Sequence, residues 1–311
     1  MINRFRNWLC TGLLLALGVA SAGFVPQPAA IDWKAVGQAL GKPLLPQMHG
    51  GMYAALLVRN DLRVVAKGVP VRSELGIASE LTFMPIENGR AYLMGEVTVT
   101  DAELQAVTNV LSDGGLGLTS IHKHLPAETP RIWWVHVAGY ADPVAMATTL
   151  RKALQQTSTP AASDPVKTEK MPLNTKELDQ LMGLHGQVAG GIYKYLIAHE
   201  GSFRDTLAHL QLSPMMQPTA ALYFQPLGGR RAAINGDVLM MADEVDGVMR
   251  ACRQAGIELV ALHSHMTHEY PQLYYLHYWQ TGDAATLARG LRTVLNKTKV
   301  RESELAVSHG Q

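Results

Sequence analysis

The chain has 311 residues, 47% of them hydrophobic and 17% charged, with a formal net charge of +1. That is a globular composition, long enough for a leader and two modest domains. No Lys/Arg block stands out, so neither a nucleic acid nor an anionic membrane surface has electrostatic support as a partner.

Residues 1–22 read as a signal peptide. Arg4 and Arg6 precede an apolar run from Trp8 to Val19, and Ala20-Ser21-Ala22 fits small-x-small cleavage before Gly23. The run is short for a membrane span. The expected product is therefore periplasmic or secreted, with no span after the leader is removed. Cys10 lies inside the run without the usual mature start behind it, which disfavours a lipid anchor. Cys252 is then the one remaining thiol, no internal disulfide can form, and its helical setting suits a small buried apolar residue.

The rest of the chain is one unit written twice. At an offset of 141 residues, Leu81–Pro85 lies on Leu222–Pro226, Gly95-Glu96-Val97 on Gly236-Asp237-Val238, and Asp142, Leu150, Arg151 and Leu154 on Asp283, Leu291, Arg292 and Leu295. With a slip of one, Gly50-Gly51-Met52-Tyr53 lies on Gly190-Gly191-Ile192-Tyr193. Repeat 1 spans 31–155 and repeat 2 spans 174–297. Between them, 156–173 is a linker rich in Thr, Ser, Ala, Pro and Lys, and 298–311 is a polar tail expected to fray.

Each repeat opens with a helix, 31–40 or 175–184, and a strand after the Gly-Gly pair, 52–58 or 192–198. A less regular stretch leads to two strands around Asn88-Gly89 or Gly228-Gly229. A helix follows, 101–111 or 243–255, the first opened by the capping box Thr100-Asp101-Ala102-Glu103, with Gly115 and Gly256 beyond the ends. Then come a strand ending in His-x-His, a short loop, a returning strand (132–137 or 273–279) and a last helix behind Asp142 or Asp283 as N-cap. Strands outnumber helices and hairpins are frequent. The expected fold is α+β: two homologous repeats, each a largely antiparallel sheet covered by helices.

Both repeats carry H-x-H-x3-E-x-P-x5-H: His122, His124, Glu128, Pro130 and His136, matched by His263, His265, Glu269, Pro271 and His277. Alternate strand residues share a face, so the two histidines of each His-x-His point together. The returning strand brings the third histidine alongside, and the glutamate sits in the loop at the rim. Three imidazoles and a carboxylate, converging once in each repeat, suit Zn²⁺, Cu²⁺, Fe²⁺, Mn²⁺ or Ni²⁺. In an enzyme, a metal-bound water would be the nucleophile and Glu128 or Glu269 the proton carrier. The competing reading is a hydrogen-bonded core histidine among aromatics such as Trp133 and Trp134, copied by duplication. Against it stands divergence: the repeats differ at most positions, yet all three histidines and the glutamate keep a partner. Glu96 and Asp237 also match, and read as a helix cap or a hairpin charge pair. Lys123 and Ser264 point away from the paired histidines. His49, His185, His199, His209, His268 and His309 have no counterpart and read as surface or structural residues.

The His-x-His-x3-Glu spacing also resembles the first metal motif of cupins, but the helices argue against that all-β fold. G-x-S-x-G, Walker-type, H-E-x-x-H and C-x-x-C motifs are absent. The segment Ala261-Leu262-His263-Ser264-His265-Met266, continuing Glu269-Tyr270-Pro271-Gln272-Leu273-Tyr274-Tyr275-Leu276-His277-Tyr278-Trp279, resembles the LppY/LpqO family, as do Gly236-Asp237-Val238 and Ala242-Asp243-Glu244-Val245 before it. The resemblance implies an exported bacterial protein with a duplicated domain and supplies no reaction. Repeat 1 departs from the pattern at Lys123-His124-Leu125 and Thr129-Pro130-Arg131. The expected function is transition-metal binding, as carrier or metalloenzyme. The alternatives are a metal-free pocket for a small molecule or envelope glycan, or a structural envelope protein.

Overall fold

The computed structural model describes residues 30–46, 51–160, 170–212 and 219–302. The expected signal peptide, Cys10, His49 and His309 lie outside them. Repeat 1 runs α1 (Trp33–Leu40), β1 (Leu45–Pro46), β2 (Tyr53–Val58), β3 (Val65–Ala66), β4 (Val69–Pro70), β5 (Ala78–Pro85), β6 (Ala91–Thr100), α2 (Asp101–Asp113), β7 (Gly117–His122), β8 (Glu128–Thr129), β9 (Ile132–Ala141) and α3 (Pro143–Leu154). Repeat 2 follows the same order. It runs α4 (Thr175–Met182), β10 (Gln187–Ala189), β11 (Ile192–His199), β12 (Arg204–Asp205), β13 (Leu210–Gln211), β14 (Thr219–Pro226), β15 (Arg231–Met241), α5 (Val245–Gln254), β16 (Glu258–His263), β17 (Glu269–Tyr270), β18 (Leu273–Asp283), α6 (Ala284–Leu295) and β19 (Val300–Glu302).

The main sheets have orders β1-β2-β5-β6-β9-β7 and β10-β11-β14-β15-β18-β16, and all pairs in them are antiparallel. This is the expected α+β fold in two homologous repeats. Two features were not legible beforehand. The less regular stretches form small strands that pair with the loop strands, as β4-β3-β8 and β13-β12-β17. The polar tail is not wholly frayed, because β19 adds to β11.

The helices start where their side chains can cap them. Thr100 N donates to Glu103 Oε2 at 2.8 Å, Ala145 N to Asp142 Oδ1 at 2.8 Å, and Thr286 N to Asp283 Oδ1 at 3.0 Å. In repeat 1 the helices cover one sheet face, where Val97, Val99, Val135 and Val137 bury themselves against Leu111 and Leu150. Each such valine contributes about 1.5–3 kcal/mol by leaving water. Strand alternation sends Glu96, Trp134 and His136 to the opposite face. That face meets the second repeat: Ile77, Leu125, Ile132 and Trp134 cluster with Ile192, Ala233 and Trp279. Met52, Met84, Tyr92 and Met94 join the core of repeat 2. The helices thus lie outside and the two sheets face each other. Cys252 is fully buried in this core, where burial pushes its thiol up to about 12.

Two glycines allow neighbouring strands to close up beside the seam. A Cβ on Gly95 would stand 2.1 Å from the Glu80 carbonyl oxygen, and one on Gly236 2.1 Å from that of Ala221. Gly236 also has φ +137°, which a side chain resists. Gly236→Ala is expected to lower stability by about 2–4 kcal/mol, since the obstacle is backbone and cannot rotate away. Gly228→Ala is the control, with positive φ but nothing within 4 Å of a new Cβ, and should cost about 1 kcal/mol. Urea midpoints of the two variants measure the difference.

Candidate metal centre

The β7–β9 hairpin sets the first half of the site. Ser120 pairs with His136 and His122 with Trp134, and across β6 His136 faces Glu96. In repeat 2, Ala261 pairs with His277, His263 with Tyr275, and His277 faces Asp237 across β15. The second histidine of each His-x-His lies just past the strand end and folds onto an aromatic ring. His124 stacks on Trp134 with centroids 3.8 Å apart, and His265 stacks on Tyr275 at 3.5 Å.

Three histidines converge in each repeat, and the two sets merge into one centre. His122 stacks on His263 with centroids 3.6 Å apart. His124 stacks on His277 at 3.8 Å, and the exchanged pair His265 and His136 stacks at 4.2 Å. Contacts exchanged in this way are the mark of a two-fold arrangement. The expectation of one separate site per repeat is therefore corrected, because the sheet faces that carry the rings are the faces that pack together.

The nitrogens lie close enough to share ligands. His122 Nε2 is 3.1 Å from His124 Nε2 and 3.2 Å from His277 Nε2. Two donors, each ~2.0–2.1 Å from one tetrahedral ion, stand roughly 3.3 Å apart. Ligand atoms of His122, His136 and His263 also lie within 4.8 Å of one another, as do those of Asp237, His263 and His277. His277 Nδ1 is 3.2 Å from the Gly236 carbonyl oxygen. A carbonyl can only accept, so this contact puts the proton on Nδ1 and leaves Nε2 a free lone pair. Both ring nitrogens of His136 and of His263 are buried without a hydrogen-bond partner, as is Asp237 Oδ1.

The carboxylates of the centre are the ones the sequence reading set aside. Glu96 Oε2 lies 3.3 Å from His136 Nε2 and 3.6 Å from His124 Nε2, while Asp237 Oδ1 lies 3.0 Å from His277 Nε2. The reading of Glu96 and Asp237 as caps or charge pairs is replaced: cross-strand pairing puts each beside a histidine about forty residues further on. Glu128 and Glu269, the expected proton carriers, instead close their own loops. Glu128 Oε1 accepts from Ile132 N at 3.0 Å and from Lys123 Nζ. Glu269 Oε1 accepts from Leu273 N at 2.8 Å and Gln272 Nε2 at 3.1 Å. Among the described residues neither makes a hydrogen bond or ion pair with the six imidazoles. The unmatched histidines behave as expected where described: His199 is buried and bonds Glu244 at 2.9 Å, and His185 is exposed beside Glu302.

A cavity of about 260 Å³ reaches the cluster. Its walls include His124, His136, His265, His277, Glu96 and Asp237, with Glu80, Lys194, Tyr223 and Asn235 from the surrounding strands. His122 and His263 do not line the cavity. A small molecule can therefore approach the centre from one side.

Burial governs the proton balance. Desolvation, reinforced by neighbouring imidazoles, holds His122, His124, His136, His265 and His277 well below the ordinary 6.5. Burial brings His263 down to about 3. Burial likewise raises the carboxyls: Glu96 well above 4.5, Asp237 to about 8 and Glu269 to about 7. The imidazoles are thus neutral and ready as ligands at neutral pH. An arriving cation would ionise the nearby carboxyls.

The fold and site define a class, tandem α+β proteins whose repeats share one histidine-rich centre. The chain belongs to the family described as "Domain of Unknown Function (DUF1259)", which it matches twice, over residues 34–156 and 176–297. No curated protein matches it. Among solved structures it is similar to the trimeric bacterial microcompartment shell protein PduB, at 10% identity over 86% of this chain and 93% of that one, with a TM-score of 0.19. EtuB from Clostridium kluyveri shows 12% identity over 81% and 90%, with a TM-score of 0.18. The double-ringed trimeric shell protein MSM0271 shows 14% identity over 68% and 84%, also at 0.18. TM-scores this low do not define a common fold.

Linkage fixes how stability of the metal-free protein follows pH. Between about 3 and 6.5 the unfolded chain binds protons at histidines that stay neutral when folded, so stability rises with pH. The raised carboxyls act oppositely. Their stabilisation is complete below the ordinary 3.8 of Asp237 and 4.5 of Glu269, and is lost as pH rises towards about 8 and 7. Six imidazoles outweigh the four raised carboxyls, Glu80 being the fourth, so melting temperature should climb from pH 4.5 to about 6.5 and then decline gently. Thermal melts of chelator-treated protein across this range check the sign, and a monotonic fall from pH 4.5 would contradict it.

Proposed function

We propose that this protein binds a divalent transition-metal ion in a centre built jointly by its two repeats. The observation that carries the reading is the pair of rings, His136 and His263, buried with both nitrogens unpartnered in a cluster of six imidazoles, five of which fall into triads with ligand atoms within 4.8 Å of one another. A buried polar atom without a partner costs about 1–3 kcal/mol, and several in one place need a common remedy. Imidazole with carboxylate suits Zn²⁺, Cu²⁺, Fe²⁺, Mn²⁺ or Ni²⁺, and disfavours Ca²⁺ and Mg²⁺, which take oxygen. His277, held by the Gly236 carbonyl, and His124 and His265, each stacked on an aromatic ring, supply orientation without metal.

The cavity favours a centre that small molecules reach over one that is sealed. A bound ion would supply Lewis acidity or redox chemistry to such a visitor. Glu96 and Asp237, at the cavity wall beside the imidazoles, are the groups placed to accept or return a proton there; Glu128 and Glu269 do not line the cavity, and each has its Oε1 engaged in its own loop. A small-molecule or envelope-glycan ligand without metal is the second reading, favoured by the cavity alone. Export by the N-terminal leader, and a place among LppY/LpqO proteins, complete the proposal and rest on the sequence.

Protein purified without a polyhistidine tag should carry at least one such ion per chain by mass spectrometry of the acid-digested sample. After chelation, Zn²⁺ or Cu²⁺ should raise its melting temperature by several degrees or more. No metal above background, together with unchanged melting, would refute the reading.

A further inference from the structure

We infer that the shared centre holds two metal ions, each ligated by both repeats. This rests on the metal-binding reading above and extends it. The first set is His122, His124 and His277, whose Nε2 atoms lie 3.1 and 3.2 Å from that of His122. One ion placed there satisfies these three rings. It leaves His136 and His263 with both nitrogens buried and unpartnered. Those two rings belong to the set related by the exchange of repeats, which is His263, His265 and His136.

The second set resembles the first in its ring centroids, while its ligand nitrogens are spread more widely than the 4.8 Å that bounds those of the first. Its centroid separations are 5.1 Å for His263 and His265, 4.2 Å for His136 and His265, and 5.7 Å for His136 and His263. The first set gives 5.0, 3.8 and 5.1 Å for the equivalent pairs. Each set has its own carboxylate, Asp237 beside His277 and Glu96 beside His136. Three imidazoles and one carboxylate per ion give two four-donor sites, divided by the stacked rings of His122 and His263. The His-x-His of either repeat thus acts with the third histidine of the other. Two metal ions so held stand ~3.5–4 Å apart in known two-metal chemistry, and the cavity wall formed by His124, His136, His265 and His277 faces both.

Titration of chelator-treated full-length protein with Co²⁺ and Cu²⁺, followed by desalting, reads the stoichiometry directly. Two ions per chain are expected, and in the Cu²⁺-loaded protein a paramagnetic resonance signal weakened by coupling between neighbouring ions. His124→Ala and His265→Ala, each checked for folding by circular dichroism, should each retain one ion and restore the uncoupled signal. Saturation of the wild type at one ion, or two ions without coupling, overturns the inference while leaving metal binding intact. No ion retained by the wild type overturns both. Because the wild-type titration decides the matter, a variant that fails to fold does not rescue the idea.

Discussion

Imidazoles that have given up water, five of the six in this cluster, must find partners or be driven apart, and this constraint organises the structure. The rings sit between two sheets whose outer faces are already covered by helices. The four that lie on strands, His122, His136, His263 and His277, cannot swing outward without breaking strand alternation. The imidazoles stay neutral at neutral pH, because burial and neighbouring rings oppose a positive charge. What remains is a dense array of lone pairs with two carboxyl groups beside it. Such an array is costly unless something positive shares it.

The supporting shell fits that demand. Trp134 and Tyr275 present flat faces to His124 and His265 and fix their tilt. Asn235 donates to the His124 carbonyl at 3.0 Å, and Thr119 to the His265 carbonyl at 2.6 Å, so each repeat grips the histidine loop of the other. Gly95 and Gly236 bring β5 and β14 close, and the acid that follows each glycine reaches the centre. Rigid placement of this kind is what a ligand set requires, since misplacement of a donor weakens coordination.

Much of the fold was readable in advance. The offset of 141 residues exposed the duplication, and period-two patterning with capping residues located the main strands and helices. The convergence of three histidines within a repeat followed from strand alternation and one hairpin. The fusion of two convergences into one did not, because nothing in either repeat states which sheet face the other will cover. Trp134 and Tyr275 at matched positions were the available hint: large rings on the histidine face need something to cover them. Glu96 and Asp237 were missed because their nearness to His136 and His277 is a cross-strand matter, invisible to local spacing. Glu128 and Glu269 misled for the opposite reason. They sit conveniently near the histidines in sequence, but loop closure turns Oε1 of each to the amides of Ile132 and Leu273.

The exchanged stacking of His124 on His277 and of His136 on His265 bears on the protein's ancestry. On the proposed two-ion arrangement a lone copy of the unit would own only half of either donor set, so a forebear with one copy would have worked as a self-paired dimer. Fusing two genes end to end fixed the partner at a high effective concentration. It also released the halves from being identical, and Glu96 against Asp237 and Trp134 against Tyr275 are differences no symmetric dimer could have held.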